Sequence, residues 1–166
     1  MDEIRESYGF SSEKSKFSGL LSEGKIDQES VYLFKPLTYM NLSGKPVADA
    51  ARFFKIRPDH IIVFHDDLDL EPKTIRVKQG GGHGGHNGLK DLDAHLGPDY
   101  WRVRIGIGRP LYKDQVTSYV LSNFSKADHG WLDPLLPILA DEVHLLVTGA
   151  PQEYANMVMA EVSHGI

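Results

Sequence analysis

Ile61-Ile62-Val63-Phe64-His65-Asp66-Asp67 is an apolar run that ends in a histidine and two acids. Its consecutive β-branched and aromatic residues predict a strand that is apolar on both faces. Such a strand is usually central in a parallel sheet covered by helices. Charge then sits at its carboxyl end, where open α/β sheets bind ligands.

The flanking segments fit the same architecture. Upstream, Val31-Tyr32-Leu33-Phe34 is a short apolar run stopped by Lys35-Pro36, and it predicts another strand. Ser43 is a plausible N-cap, Pro46 is tolerated in the first turn that follows, and Val47, Ala50, Ala51 and Phe54 recur at helical spacing before Pro58. Downstream, Thr74-Ile75-Arg76-Val77-Lys78 and Val103-Arg104-Ile105-Gly106-Ile107 alternate and predict half-exposed strands. Between them Leu89, Leu92 and Leu96 mark a helix face, with Asn87 as a possible cap and Gly97-Pro98 as the stop. A longer helix is expected over 133–148, and a last one carries Tyr154, Met157 and Met159. The expected fold is a single-domain α/β sandwich over 1–166, with a twisted, mostly parallel mixed sheet flanked by helices.

Composition narrows the function classes. Cysteine is absent, which excludes disulfides and thiolate chemistry. No apolar run approaches the ~20 residues that span a bilayer, and the opening Met1-Asp2-Glu3-Ile4-Arg5-Glu6 does not read as a secretory signal. A cytoplasmic setting is expected. The formal net charge is −5, which argues against a polyanion partner, but it is unevenly spread. Between residues 72 and 113 eight basic residues face three acids, a local charge of +5. That suits a phosphate contact; from charge alone, scattering over several faces is the better reading.

The densest signal is Gln79-Gly80-Gly81-Gly82-His83-Gly84-Gly85-His86-Asn87-Gly88, with six glycines. A folded chain accepts that entropy cost where the backbone needs unusual dihedrals or close approach. The run contains G-x-G-x-x-G, but the preceding strand carries Arg76 and Lys78, and no acid follows at the ribose-binding distance. No Gly-Lys-Ser/Thr follows to make a P-loop. His83 and His86 stand as H-x-x-H without further ligands in the loop, so no metal site is expected. His65 beside Asp66 suits either an oriented base or a turn cap. Asn41 can hold a carbonyl or a ribose hydroxyl, and Tyr39 can stack on a base; taken alone, each reads better as a turn residue and a partly buried aromatic.

Together these segments resemble the bacterial-type peptidyl-tRNA hydrolase family. The resemblance rests on Lys16-Phe17-Ser18-Gly19, on Lys35-Pro36-Leu37-Thr38-Tyr39-Met40-Asn41-Leu42-Ser43-Gly44, on His65-Asp66-Asp67-Leu68-Asp69-Leu70, on the glycine run, and on Arg104-Ile105-Gly106-Ile107-Gly108-Arg109-Pro110. It covers nearly the whole chain. It implies an enzyme that cleaves the ester between peptide and tRNA, so recycling tRNA from prematurely released peptides, as a cytoplasmic monomer without metal or organic cofactor. Asp66, Asn41 and Asn87 match catalytic positions of the family, Asp66 supporting a histidine base. Tyr39, Met40, Gly85 and His86 match residues of the substrate site, and Lys78, Arg104 and Lys113 match phosphate contacts. The peptidyl-tRNA acceptor end and phosphates are the expected partner.

The sequence departs from the family at its start. Members open with a strand, a Gly-Leu-Gly-Asn-Pro-Gly turn and a Thr-Arg-His-Asn segment whose histidine is the base. Neither motif occurs in this chain. The expectation is an N-terminally truncated domain lacking about 25 residues, including the first central strand and the base, and therefore weak or no activity. The alternatives are a non-catalytic tRNA- or RNA-binding module of the same fold and a nicotinamide-dependent oxidoreductase built on the glycine loop.

Overall fold

The computed structural model describes residues 1–165. A short helix α1 (Asp2–Ser7) leads into strands β1 (Lys14–Lys16), β2 (Gly19–Ile26) and β3 (Glu29–Pro36). Helix α2 (Gly44–Phe53) and strands β4 (Ile62–Asp67) and β5 (Ile75–Gln79) follow, then α3 (Asn87–Leu96) and β6 (Trp101–Gly106). The chain closes with α4 (Val116–Leu121), α5 (Lys126–Asp141), α6 (Val143–Val147) and α7 (Pro151–Gly165). None of the described helices is long and apolar enough to cross a membrane.

The strands form two sheets. β1, β2 and β3 are antiparallel neighbours, while the mixed sheet has the order β4-β6-β5, with β4 and β6 parallel and β5 antiparallel to β6. The expected mixed α/β sheet is present, but among the described residues its parallel part is the single β4–β6 pair. β4 is accordingly an edge strand and β6 the central one. The two-faced reading of β4 still explains its packing: Ile62 and Phe64 join the core beneath α5, α6 and α7, while Ile61 and Val63 join Leu89, Leu92 and Tyr100 beside α3.

Local chemistry sets several boundaries differently from the sequence pattern. The long helix starts earlier than residue 133, because Ser125 and Asp128 form a reciprocal capping box, and it breaks at Glu142. Ser43 stands at the N-cap of α2, but its hydroxyl donates to the Met40 carbonyl. The Asp91 carboxylate on α3 accepts from the Gly44 N–H at 2.7 Å instead. A Cβ on Gly44 would meet the Asp91 carbonyl oxygen at 2.2 Å, so this glycine permits the close approach of α2 to α3.

Candidate active site

Asp66 lies near the carboxyl end of β4, and its Oδ1 accepts a hydrogen bond from His86 Nε2 at 2.9 Å. His86, not Asn87, caps α3: its Nδ1 accepts from the Leu89 N–H at 3.2 Å. Because Nδ1 is accepting, Nε2 must carry the hydrogen given to Asp66. His86 is thereby locked as one tautomer with both nitrogens engaged. Burial pushes the Asp66 carboxyl up, but the His86 contact outweighs it and holds the group below the ordinary carboxylate value. About a third of the Asp66 side chain remains exposed, and Oδ2 has no protein donor among the described residues.

His65 does not meet the Asp66 carboxylate. Its Nδ1 donates to the Asp66 carbonyl oxygen at 2.8 Å, its ring stands edge-on to His86, and its Nε2 is buried without a partner. His83 Nδ1 accepts from the Gly85 N–H at 3.0 Å, and the His83 carbonyl accepts from the His86 N–H. The glycine run is thus a folded turn. No three side chains able to hold a metal ion come together among the described residues.

The second arm of the site is the turn before α2. Its 3-10 segment, Met40–Leu42, packs against α3. A Cβ on Gly88 would lie 2.7 Å from Met40 Sδ, so the missing side chain is what lets the turn reach the start of α3. Asn41 and Asn87 are both exposed and make no side-chain hydrogen bond to described residues. Tyr39 is 82% exposed and therefore not the partly buried aromatic of the simpler reading. The structure thus brings the Tyr39–Asn41 turn to the start of α3, and His86 there joins Asp66.

The basic residues are less free than their count implies. Arg104 Nε donates to Asp67 Oδ2 at 2.7 Å, and Arg109 pairs with Asp69. Burial raises the Asp67 carboxyl, but Arg104 and the Asp69 N–H overcome this and hold it low. Arg76 lies opposite Arg104, and Lys78 opposite Arg102, across the β5–β6 pair. Lys78 and Lys113 are in no ion pair among the described residues. Lys113 is exposed beside Leu111 and Tyr112.

The family model for peptidyl-tRNA hydrolase matches residues 1–164. The chain belongs to the peptidyl-tRNA hydrolase family. It is 55% identical to the peptidyl-tRNA hydrolase of Rhodospirillum centenum over 95% of this chain and 70% of that protein. For the Chelativorans sp. counterpart the identity is 54%, covering 93% of this chain and 65% of the relative, and for that of Ruegeria sp. it is 51%, covering 98% and 66%. The chain thus spans about two thirds of the length of these relatives. The crystal structure of the Acinetobacter baumannii peptidyl-tRNA hydrolase superposes with a TM-score of 0.88 at 39% identity, over 95% of this chain and 81% of that one.

Within this peptidyl-tRNA hydrolase fold, His65 should leave a signature in solution. Burial lowers its pKa below the usual imidazole value, although the Asp66 carbonyl opposes the shift. The unfolded chain therefore takes up a proton at this residue at higher pH than the folded one. The associated stability is complete above about pH 6.5, the unfolded value, and is lost as pH falls toward the folded pKa. Thermal melts between pH 7.5 and 5 should show a falling midpoint, and His65→Asn should flatten that fall. An equal slope in the variant would remove His65 as its source.

Proposed function

We propose that this chain acts as one domain on peptidyl-tRNA, with Asp66, Asn41 and Asn87 serving hydrolysis of the ester between peptide and tRNA. One observation carries the reading. An ionised Asp66, held by His86 on one oxygen and open on the other, is linked through that ring to an α3 start where two uncommitted amides are exposed. Ester hydrolysis needs a water to attack the carbonyl carbon, a base to take its proton, and donors for the oxyanion until the ribose oxygen leaves. Asn41 and Asn87 offer donors and acceptors to hold the acyl group and the water. The open Asp66 oxygen suits support of an imidazolium. Tyr39, Met40, Gly85 and His86 border the tRNA end, and no metal or organic cofactor enters this scheme.

None of the histidines around Asp66 is free to act as the base. His86 and His83 use their acceptor nitrogens internally, and the His65 acceptor is buried. We therefore infer that the 166 residues alone hydrolyse peptidyl-tRNA weakly or not at all. β4 keeps a free edge among the described residues, on which a further strand could pair. A cytoplasmic monomer is the setting proposed. The same commitment of the histidines favours, as second reading, a module that binds tRNA without cleaving it. Release of labelled peptide from peptidyl-tRNA, beside tRNA binding by the same chain, separates the two.

Binding should depend on Lys78, Arg104 and Lys113. Replacing all three by alanine should weaken tRNA binding and flatten the log–log salt dependence by about 2 to 3, because each phosphate contact releases counterions. Arg104 shares its charge with Asp67, so Lys78 and Lys113 should account for most of the change. Unchanged affinity and slope would dismiss this surface as the phosphate contact.

A further inference from the structure

Arg102 sits on the central strand β6 and is fully buried. It stands just before the alternating Val103–Ile107 run, and the glycine run folds over it. Its Nη1 donates to the Gly82 carbonyl at 2.6 Å, and its Nη2 donates to the Gly81 carbonyl at 3.1 Å and to Asp93 Oδ1 at 3.2 Å. The guanidinium carbon lies 4.6 Å from the centre of the Tyr100 ring, and the Tyr100 hydroxyl donates to the same Asp93 oxygen at 2.6 Å.

A buried guanidinium carries a desolvation penalty that an apolar residue of the same size would not. The sheet does not need it, since none of these donors goes to a strand. They go to the loop before His83 and to α3, the two segments that bracket His86 and Asn87. Gly81 takes φ +94, a conformation open to glycine and disfavoured for other residues, and this lets the loop carbonyls turn inward onto the guanidinium. The planar fork reaches two carbonyls and a carboxylate together, which a lysine ammonium on this stem cannot match.

We propose that Arg102 is a positioning residue. With Asp93 and Tyr100 it fixes the glycine loop to α3, and it thereby sets the His86 tautomer and the place of Asn87. The consequence for substrate rests on the hydrolase reading above; the consequence for the loop does not. Arg102 touches no substrate, since it is closed off beneath the loop.

The test uses the 166-residue chain with Arg102→Lys, Arg102→Met and the milder Tyr100→Phe, which removes one hydroxyl only. Imidazole nitrogen shifts read the His86 tautomer, and amide exchange reads Gly85, His86 and Leu89 against Leu21 and Leu33 in the remote sheet. Arg102→Lys and Arg102→Met should mix the His86 tautomers and speed exchange at the three loop-side amides by about tenfold or more, with the remote amides unchanged. Tyr100→Phe should move the same signals less, and it keeps the test open if the arginine variants do not fold. An unchanged tautomer and unchanged loop exchange in a folded variant overturn the proposal. So does loosening of remote and loop amides alike, which would mean a general loss of stability.

A second arm separates the two levels. Binding is compared for a bare acceptor-stem RNA hairpin and the same hairpin with a peptide joined to its 3′ end by an amide. The intact chain should prefer the peptidylated hairpin, and Arg102→Lys should lose that preference while binding bare RNA as before. Loosened loop amides with no preference in the intact chain would sustain the positioning role and count against the hydrolase reading. A preference in the intact chain that survives Arg102→Lys would show that Arg102 does not position the site.

Discussion

Joined to an N-terminal segment carrying a strand and a Thr-Arg-His-Asn stretch, the chain should release peptide from peptidyl-tRNA about 10²–10⁴-fold faster than the 166 residues alone, the usual value of general-base assistance. The expectation follows from where acceptor nitrogens are spent. His86 caps α3 with one nitrogen and donates to Asp66 with the other, His83 is tied to Gly85, and the free His65 nitrogen is out of reach of water. The second Asp66 oxygen has no donor among the described residues, and none of these imidazoles is bonded to it. The same segment should raise the melting temperature and lower light scattering, because β4 has a free edge among the described residues and only half-buried apolar side chains. Equal turnover by the two proteins would mean that His65 or His86 leaves its described bonds to act as base.

The mixed sheet was legible wherever one residue decides which way its neighbours point. Ile61, Ile62, Val63 and Phe64 do pack to alternate sides, as a two-faced strand must. The β1–β3 sheet was only partly legible, for a definite reason. Its hairpins turn at Phe17-Ser18 and Asp27-Gln28, all four with positive φ, and none of these is the glycine that usually announces such turns. β2 is also poor in strand-forming residues. Its glycines are filled by neighbours, with Phe34 packed where a Gly19 side chain would stand and Phe10 over Gly24. Tertiary packing overrides propensity there.

At the site, the family resemblance pointed to Asp66, Asn41 and Asn87, but the bond of Asp66 to His86 could not be read from spacing. Asn87 has the side chain of a helix cap, yet the cap is His86, one residue earlier, and this shift leaves the asparagine amide uncommitted. Arg102 was read only as one of the eight basic residues between 72 and 113, because only the folded glycine run covers it. A signal was present in retrospect, since a loop so rich in glycine needs something to hold its carbonyls. The charge count misled in a similar way: Asp67 and Asp69, outside the basic stretch, fold back onto Arg104 and Arg109.

The Asp66 carboxylate is the centre of the account, and Asp66→Asn isolates its charge. Asparagine keeps the shape, and its carbonyl can still accept from the His86 N–H. What disappears is the negative charge that would support an imidazolium while water attacks the ester. The measurement is single-turnover release of peptide from peptidyl-tRNA by the chain bearing the upstream segment, with and without Asp66→Asn, beside the affinity of each for tRNA. The predicted result is a fall in release of about 10²–10⁴-fold with unchanged tRNA affinity, since the charge acts on proton transfer and not on phosphate contacts. Undiminished release by the Asp66→Asn protein would contradict it.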